Sequence, residues 1–99
     1  MAKYVLSNKA VEDLSGIWNY TIEVWSELQA ERYYYLLTDH FQDLADKKIL
    51  GKKYTEIQED LYGALIGQHI IFFIKPMAGD IEIVRILHSS MNLKSQLEK

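Results

Sequence analysis

The chain has 99 residues, no cysteine, and a net charge of −3 from eleven basic and fourteen acidic side chains. That length supports one domain with its own core. The absence of thiols excludes disulfides and thiolate metal sites, and the acidic balance excludes a protein held on nucleic acid by bulk charge alone. No stretch approaches the ~20 apolar residues of a membrane span. The opening MAKYVLSNKAVEDL has no apolar core of signal-peptide length, so a cytoplasmic location without membrane contact is expected.

Residues 3–6 read as a short strand ended by Ser7, a helix N-cap type. Val11, Leu14, Trp18, Thr21, Ile22 and Trp25 then recur at helical spacing and predict a long amphipathic helix. Its interior Gly16 costs about 1 kcal/mol against alanine, which predicts close packing at that point. Trp18 and Trp25, seven residues apart, share a face and are expected in the core.

Ser26 with Gln29 has capping-box spacing and opens a second helix. Its apolar face carries Ala30, Tyr34, Leu37, Phe41, Leu44 and Ala45. The two helices nearly touch in sequence, so a tight helical hairpin is expected. Tyr33, Tyr34 and Tyr35 are consecutive, so on a helix they point in different directions and make no single stacking platform for nucleic-acid bases. After this helix DKKILGKKY gathers Lys47, Lys48, Lys52 and Lys53 into a local basic patch.

The remaining strands are expected at residues 54–57, 61–66, 68–75 and 80–88. Glu59 and Asp60, then Gly67, then Pro76 to Gly79 break them apart. QHIIFFIK lacks alternation, as a central strand covered on both faces does, and PMAG reads as a hairpin turn. The order βααββββ predicts an α+β domain with the helices on one face of an antiparallel sheet. Residues 70–74 and 83–87 are apolar on both parities, one more face than a single helical hairpin covers. Such a surplus marks a partner site, unless the terminal segment MNLKSQLEK folds over it.

If the PMAG turn centres near residues 77–78, the numbers of cross-strand partners total about 155–157. His69 then falls opposite residues 86–88, and His69, Arg85 and His88 crowd one end of the sheet. Two imidazoles and a guanidinium suit phosphate binding or acid–base work. The competing reading pairs Arg85 with a carboxylate such as Glu56 or Glu82 and gives the histidines backbone partners. The orientation of Arg85 is open at this level. His40 stands apart, so no metal site is expected, and no cofactor.

VLSNKAVEDLSGIWNYTIEVW, QAERYYYLLTDHFQDLA, LGKKYTEI, GQHIIFF and the ending VRILHSSMN together resemble the ParE branch of the RelE/ParE superfamily of toxins from type II toxin–antitoxin systems. The resemblance runs over nearly the whole chain and implies the same βααββββ layout, a ParD-like antitoxin that wraps the toxin, and DNA gyrase as target. It places an arginine equivalent to Arg85 in the functional groove, with Arg85, His88 and Met91 as target-contacting residues. Trp25, Tyr33 and Phe73 are the expected antitoxin contacts, chosen as aromatics able to reach a surface. RelE-like relatives instead cleave messenger RNA on the ribosome, which needs a base, an acid and several cations around the phosphate. YTEIQED stands where such a nuclease carries basic residues, and Ala64 stands where it carries an arginine, so the gyrase reading leads. Tyr62 occupies a position where ParE relatives usually have an arginine, and the further alternative is a weakened or retargeted toxin that only binds antitoxin.

Overall fold

The computed structural model describes residues 2–77 and 79–98. Strand β1 (Tyr4–Leu6) leads into helix α1 (Asn8–Val24) and helix α2 (Glu27–Ala45). Strands β2 (Lys52–Lys53), β3 (Tyr62–Ile66), β4 (His69–Met77) and β5 (Asp80–His88) follow, then a short helix α3 (Leu93–Leu97). The strands form one sheet in the order β1-β5-β4-β3-β2. All neighbours are antiparallel except β1 and β5, which run parallel. The sheet is therefore mixed, because the helical hairpin carries the chain across the sheet between β1 and the strands that follow.

Both helix starts use the serines the sequence marks. The Ser7 hydroxyl accepts from Ala10 N–H and donates to the Val84 carbonyl, so it caps α1 and ties it to β5. The Ser26 hydroxyl accepts from Gln29 N–H and starts α2.

One core lies between the hairpin and the sheet. It unites Ala10, Leu37, Phe41 and Leu44 with Ile71, Phe73, Ile81, Ile83 and Ile86. On α1 the inward stripe is Ala10, Leu14, Ile17 and Thr21. The expected stripe shares Leu14 and Thr21 with this one but is centred roughly 60° away around the helix. Two expectations fail for this reason. Val11, Ile22 and Trp25 are exposed, and Trp18 is half-buried against Tyr34 at 5.8 Å. Gly16 faces outward, and a Cβ there would meet nothing within 4 Å.

A second core lies on the opposite face of the sheet. Leu61, Ile70, Phe72 and Leu87 are covered there by Tyr54, Ile57, Leu93 and Leu97. The face expected to be open for a partner is therefore closed by the chain itself, with α3 and residues 54–57 as the cover. Those residues 54–57 are a turn and not a strand: Ile57 N–H and Gln58 N–H both bond to the Tyr54 carbonyl. Tyr54 and Ile57, three apart, both point onto the sheet from this turn, and the strand shrinks to Lys52–Lys53. Strand β4 is central and buried on both faces, as its unbroken apolar run demands. The expected turn at 76–79 includes Ala78, outside the described residues; Met77 pairs with Asp80 on either side of it, and Gly79 has φ 85°.

Candidate functional site

His69 and His88 are direct cross-strand partners. Their rings meet edge to face with centroids 5.2 Å apart. Helix α2 adds Tyr33, whose hydroxyl lies 2.6 Å from His69 Nδ1 and accepts from Gln68 N–H at 2.9 Å. Burial pushes the His69 imidazole down to about 4, reinforced by the neighbouring His88 and opposed by Asp13. Burial also raises the Tyr33 phenol, against the Gln68 hydrogen bond. Both groups are therefore neutral near pH 7, and the phenol and Nδ1 share one hydrogen bond. Gly67 makes this approach feasible: its φ is +59°, and a Cβ there would lie 2.8 Å from the Tyr33 ring. His88 Nδ1 accepts from Ser90 N–H, with the Ser90 hydroxyl at 2.7 Å.

Arg85 sits near this pair along β5 but turns away from it. A register shift between Phe72 and Phe73 leaves Arg85 opposite Phe72. The guanidinium leaves the sheet beyond the end of β1, between α1 and α3. There its Nε donates to Asp13 Oδ2 at 2.8 Å, its Nη2 to Asp13 Oδ1 at 3.1 Å, and its Nη1 to the Gln96 carbonyl at 2.9 Å. Asp13 Oδ2 also accepts from Ile86 N–H, taking the place of a strand neighbour at the edge of β5. The Asp13 hydrogen bond raises the arginine further above its ordinary range.

The sequence reading thus brought His69 and His88 together correctly, but its candidate partners for Arg85, Glu56 and Glu82, are replaced by Asp13. The signal for Asp13 was present: it lies four residues before Ile17, beside the inward stripe of α1, and an arginine in an apolar strand needs such a partner. Chemically, the cluster is a neutral phenol–imidazole pair with a second imidazole against it. The Arg85 guanidinium is neutralised and three of its N–H donors are engaged, whereas phosphate cleavage calls for free cations at the reacting centre.

The exposed apolar surface lies elsewhere, on the outside of the helical hairpin. Trp25 at the end of α1 is 72% exposed, and Ile22, Leu28, Tyr34 and Tyr35 are also exposed. Trp18, Glu31, Tyr34 and Tyr35 line a shallow groove between the helices. Of the aromatics expected to reach a partner, Trp25 is available. Phe73 is not: it is 2% exposed, because it faces the helices and stacks on Tyr62. Tyr33 is spent largely on His69 and Gln68. Leu28 and Tyr35 were missed, although their spacing of seven on α2, away from the inward stripe, puts both on the outer face. Met91 is exposed just beyond β5, and His88 is half-buried. His40 bonds the Leu36 carbonyl of its own helix, far along α2 from the cluster's Tyr33.

Comparison with known proteins turns this geometry into a family assignment. The family model described as ParE toxin of type II toxin-antitoxin system, parDE, matches residues 4–93. This chain belongs to the ParE toxin family. Toxin ParE1 of Caulobacter vibrioides is 30% identical over 97 residues, covering 98% of this chain and 99% of that protein. Toxin ParE of Escherichia coli is 34% identical over 98 residues, covering 98% and 94%. A solved structure of the chromosomal ParDE system from P. aeruginosa superposes with a TM-score of 0.72 at 15% identity, covering 89% of this chain and 95% of that one. That likeness supports the ParE fold: a leading strand, two helices, then the sheet. The chain is accordingly a ParE-type toxin of a type II toxin–antitoxin system.

Proposed function

We propose that this ParE-type toxin acts in the cytoplasm by binding DNA gyrase, and is neutralised by a ParD-like antitoxin that lays an amphipathic segment along the α1–α2 hairpin. The observation that carries the antitoxin reading is the run of exposed apolar side chains on that hairpin: Ile22, Trp25, Leu28, Tyr34 and Tyr35. A monomer rarely leaves aromatics grouped in this way without a partner to bury them. A helix laid in such a groove anchors through side chains at helical spacing. Tyr33 reinforces this surface from beneath by pinning α2 to the sheet. The buried Phe73 has no part in it.

The gyrase reading rests on family membership together with the C-terminal region, where Arg85, His88 and Met91 are the candidate contacts. Exposed Met91 offers an adaptable apolar contact. Arg85 retains two guanidinium N–H groups beyond the three it spends on Asp13 and Gln96. Action by contact fits a cluster whose guanidinium is already clasped.

The test adds purified protein in parallel to a gyrase supercoiling reaction and to a translating ribosome extract. Loss of supercoiling with trapped, cleaved DNA is expected, and Met91→Ala with His88→Ala should weaken it. Codon-positioned cleavage of messenger RNA with intact supercoiling would replace this reading by a ribonuclease. For the antitoxin surface, Trp25→Ala with Leu28→Ser should abolish tight binding of a ParD-like antitoxin while leaving the unfolding midpoint unchanged.

A further inference from the structure

The basic patch DKKILGKKY is not used by any surface described so far. In the fold its Lys47, Ile49, Leu50 and Gly51 line one side of an open cavity of about 240 Å³ at the C-terminal end of α2. The floor is apolar, built from Leu44, Ala45, Ile49, Phe73 and Ile81, and the charged lining residues are Lys47, Lys75 and Asp80. Leu50, 79% exposed, extends the apolar surface at the mouth. Lys48 and Lys53 follow in the same segment outside the lining, and Lys52 turns to the other face of the sheet, its Nζ 5.4 Å from the centre of the Tyr54 ring.

These lysines lack the usual explanation of a surface charge. Among the described residues, none of Lys47, Lys48, Lys52, Lys53 and Lys75 has a carboxylate partner. The lining carboxylate of Asp80 and the nearby Asp46 each hold one other donor. Asp80 Oδ1 accepts from Lys3 N–H, and Asp46 Oδ1 accepts from the Gln42 amide. Lys75 Nζ is positioned over the Tyr62 ring, 4.2 Å from its centre. Lys47 is placed by an unusual backbone. Lys47 N–H bonds the Leu44 carbonyl and Lys48 N–H bonds the Asp43 carbonyl, so the end of α2 is a Schellman turn. Its left-handed position, which glycine fills at lower cost, is held by Lys47 at φ 61°.

We propose that this lysine-rimmed cavity is a docking site for an acidic peptide segment. One large apolar side chain enters the cavity, and flanking carboxylates meet Lys47 and Lys75. Charge complementarity selects an anionic partner, and the apolar floor selects a peptide over a nucleic acid. Sequence-tolerant binding of single-stranded nucleic acid uses exposed aromatic rings as stacking platforms. Here Phe73 is buried, and Tyr62 is engaged by Phe73 and by Lys75. The site is separate from the surface proposed for the antitoxin, which begins at the other end of the 19-residue α2, roughly 28 Å away.

The test uses the whole chain and a short fluorescein-labelled peptide with one phenylalanine flanked on both sides by glutamates, read by fluorescence anisotropy. Saturable binding is expected, weakening with salt. Replacing the phenylalanine by alanine, or the glutamates by glutamines, should each weaken it roughly tenfold or more. The variant Lys47→Gly with Lys75→Gln should lose binding to the same extent. Lys47→Gly suits the left-handed position, so the loss cannot be traced to unfolding, and circular dichroism verifies this. Unchanged binding by that variant, equal binding of the alanine peptide, no binding of the parent peptide, or equally tight binding of an oligothymidylate of matched charge would each overturn the proposal. None of these outcomes bears on the hairpin surface, because no antitoxin enters the experiment.

Discussion

Asp13 on α1 and Arg85 on β5, 72 positions apart in sequence, form a two-pronged ion pair with both side chains largely withdrawn from solvent at 16% and 14% exposure. The same carboxylate holds Ile86 N–H at the open edge of β5. One side chain therefore neutralises the charge in an apolar strand and completes that strand's hydrogen bonding. Asp13→Ala removes both at once and leaves a guanidinium and an amide short of partners. It should destabilise the fold by about 2–4 kcal/mol. Urea unfolding with an unchanged m-value checks this. A double-mutant cycle with Arg85→Met should recover part of the loss, since an apolar pair suits the site better than half an ion pair.

His69 gives stability a pH dependence with a defined sign. Its unfolded value is near 6.5 and its folded value about 4, so across that interval the unfolded chain holds more protons. The contribution is present in full above pH 6.5 and is lost as pH falls toward 4. Urea midpoints should therefore drop between pH 7 and pH 4, more steeply in the wild type than in His69→Gln. Equal slopes in the two proteins would assign the dependence to other groups.

Gly16→Ala should stabilise the protein by about 1 kcal/mol. The added methyl meets nothing within 4 Å, so the change acts through helix propensity and the entropy of the unfolded chain. A raised thermal midpoint with unchanged far-ultraviolet circular dichroism is the expected result. A loss of stability would mean that the glycine is needed for close approach after all.

Much of this fold was legible in the sequence. Ser7 and Ser26 marked both helix starts, and the unbroken run of β4 gave the central strand. Turn placement alone set His69 against His88. What was not legible shares a physical cause, the weakness of periodicity where a residue packs from the side. On α1 the apolar residues span more than one face, so pattern alone added Val11, Ile22 and Trp25 to the correctly read Leu14 and Thr21 and passed over Ala10 and Ile17. Tyr54 and Ile57 looked like a strand because apolar residues three apart also fit a turn that folds onto the sheet. Burial of Phe73 depended on strand parity after a bulge, which sequence does not number. Asp13 stood beside the inward stripe of α1, but its choice over Glu56 and Glu82 as the partner of Arg85 is a tertiary fact that spans 72 positions.

The cover on the second core is the most consequential of these differences, since the expectation of a vacant sheet face depended on its absence. Helix α3 has no fully buried residue and is held by Leu93 and Leu97 on the sheet and by its Gln96 carbonyl on Arg85. If those contacts close the face, Leu93→Ala with Leu97→Ala should cost about 2–3 kcal/mol, less than full burial of two leucines because both are only partly covered. It should also expose Phe72 and Leu87 enough to bind the dye ANS under native conditions, which the wild type should not do. Amide exchange of Ile70 and Leu87 should speed up before that of Ile71 and Ile83, which lie on the helix side. Unchanged stability and no dye binding would mean that residues 54–57 cover the face by themselves and that α3 only rests upon it.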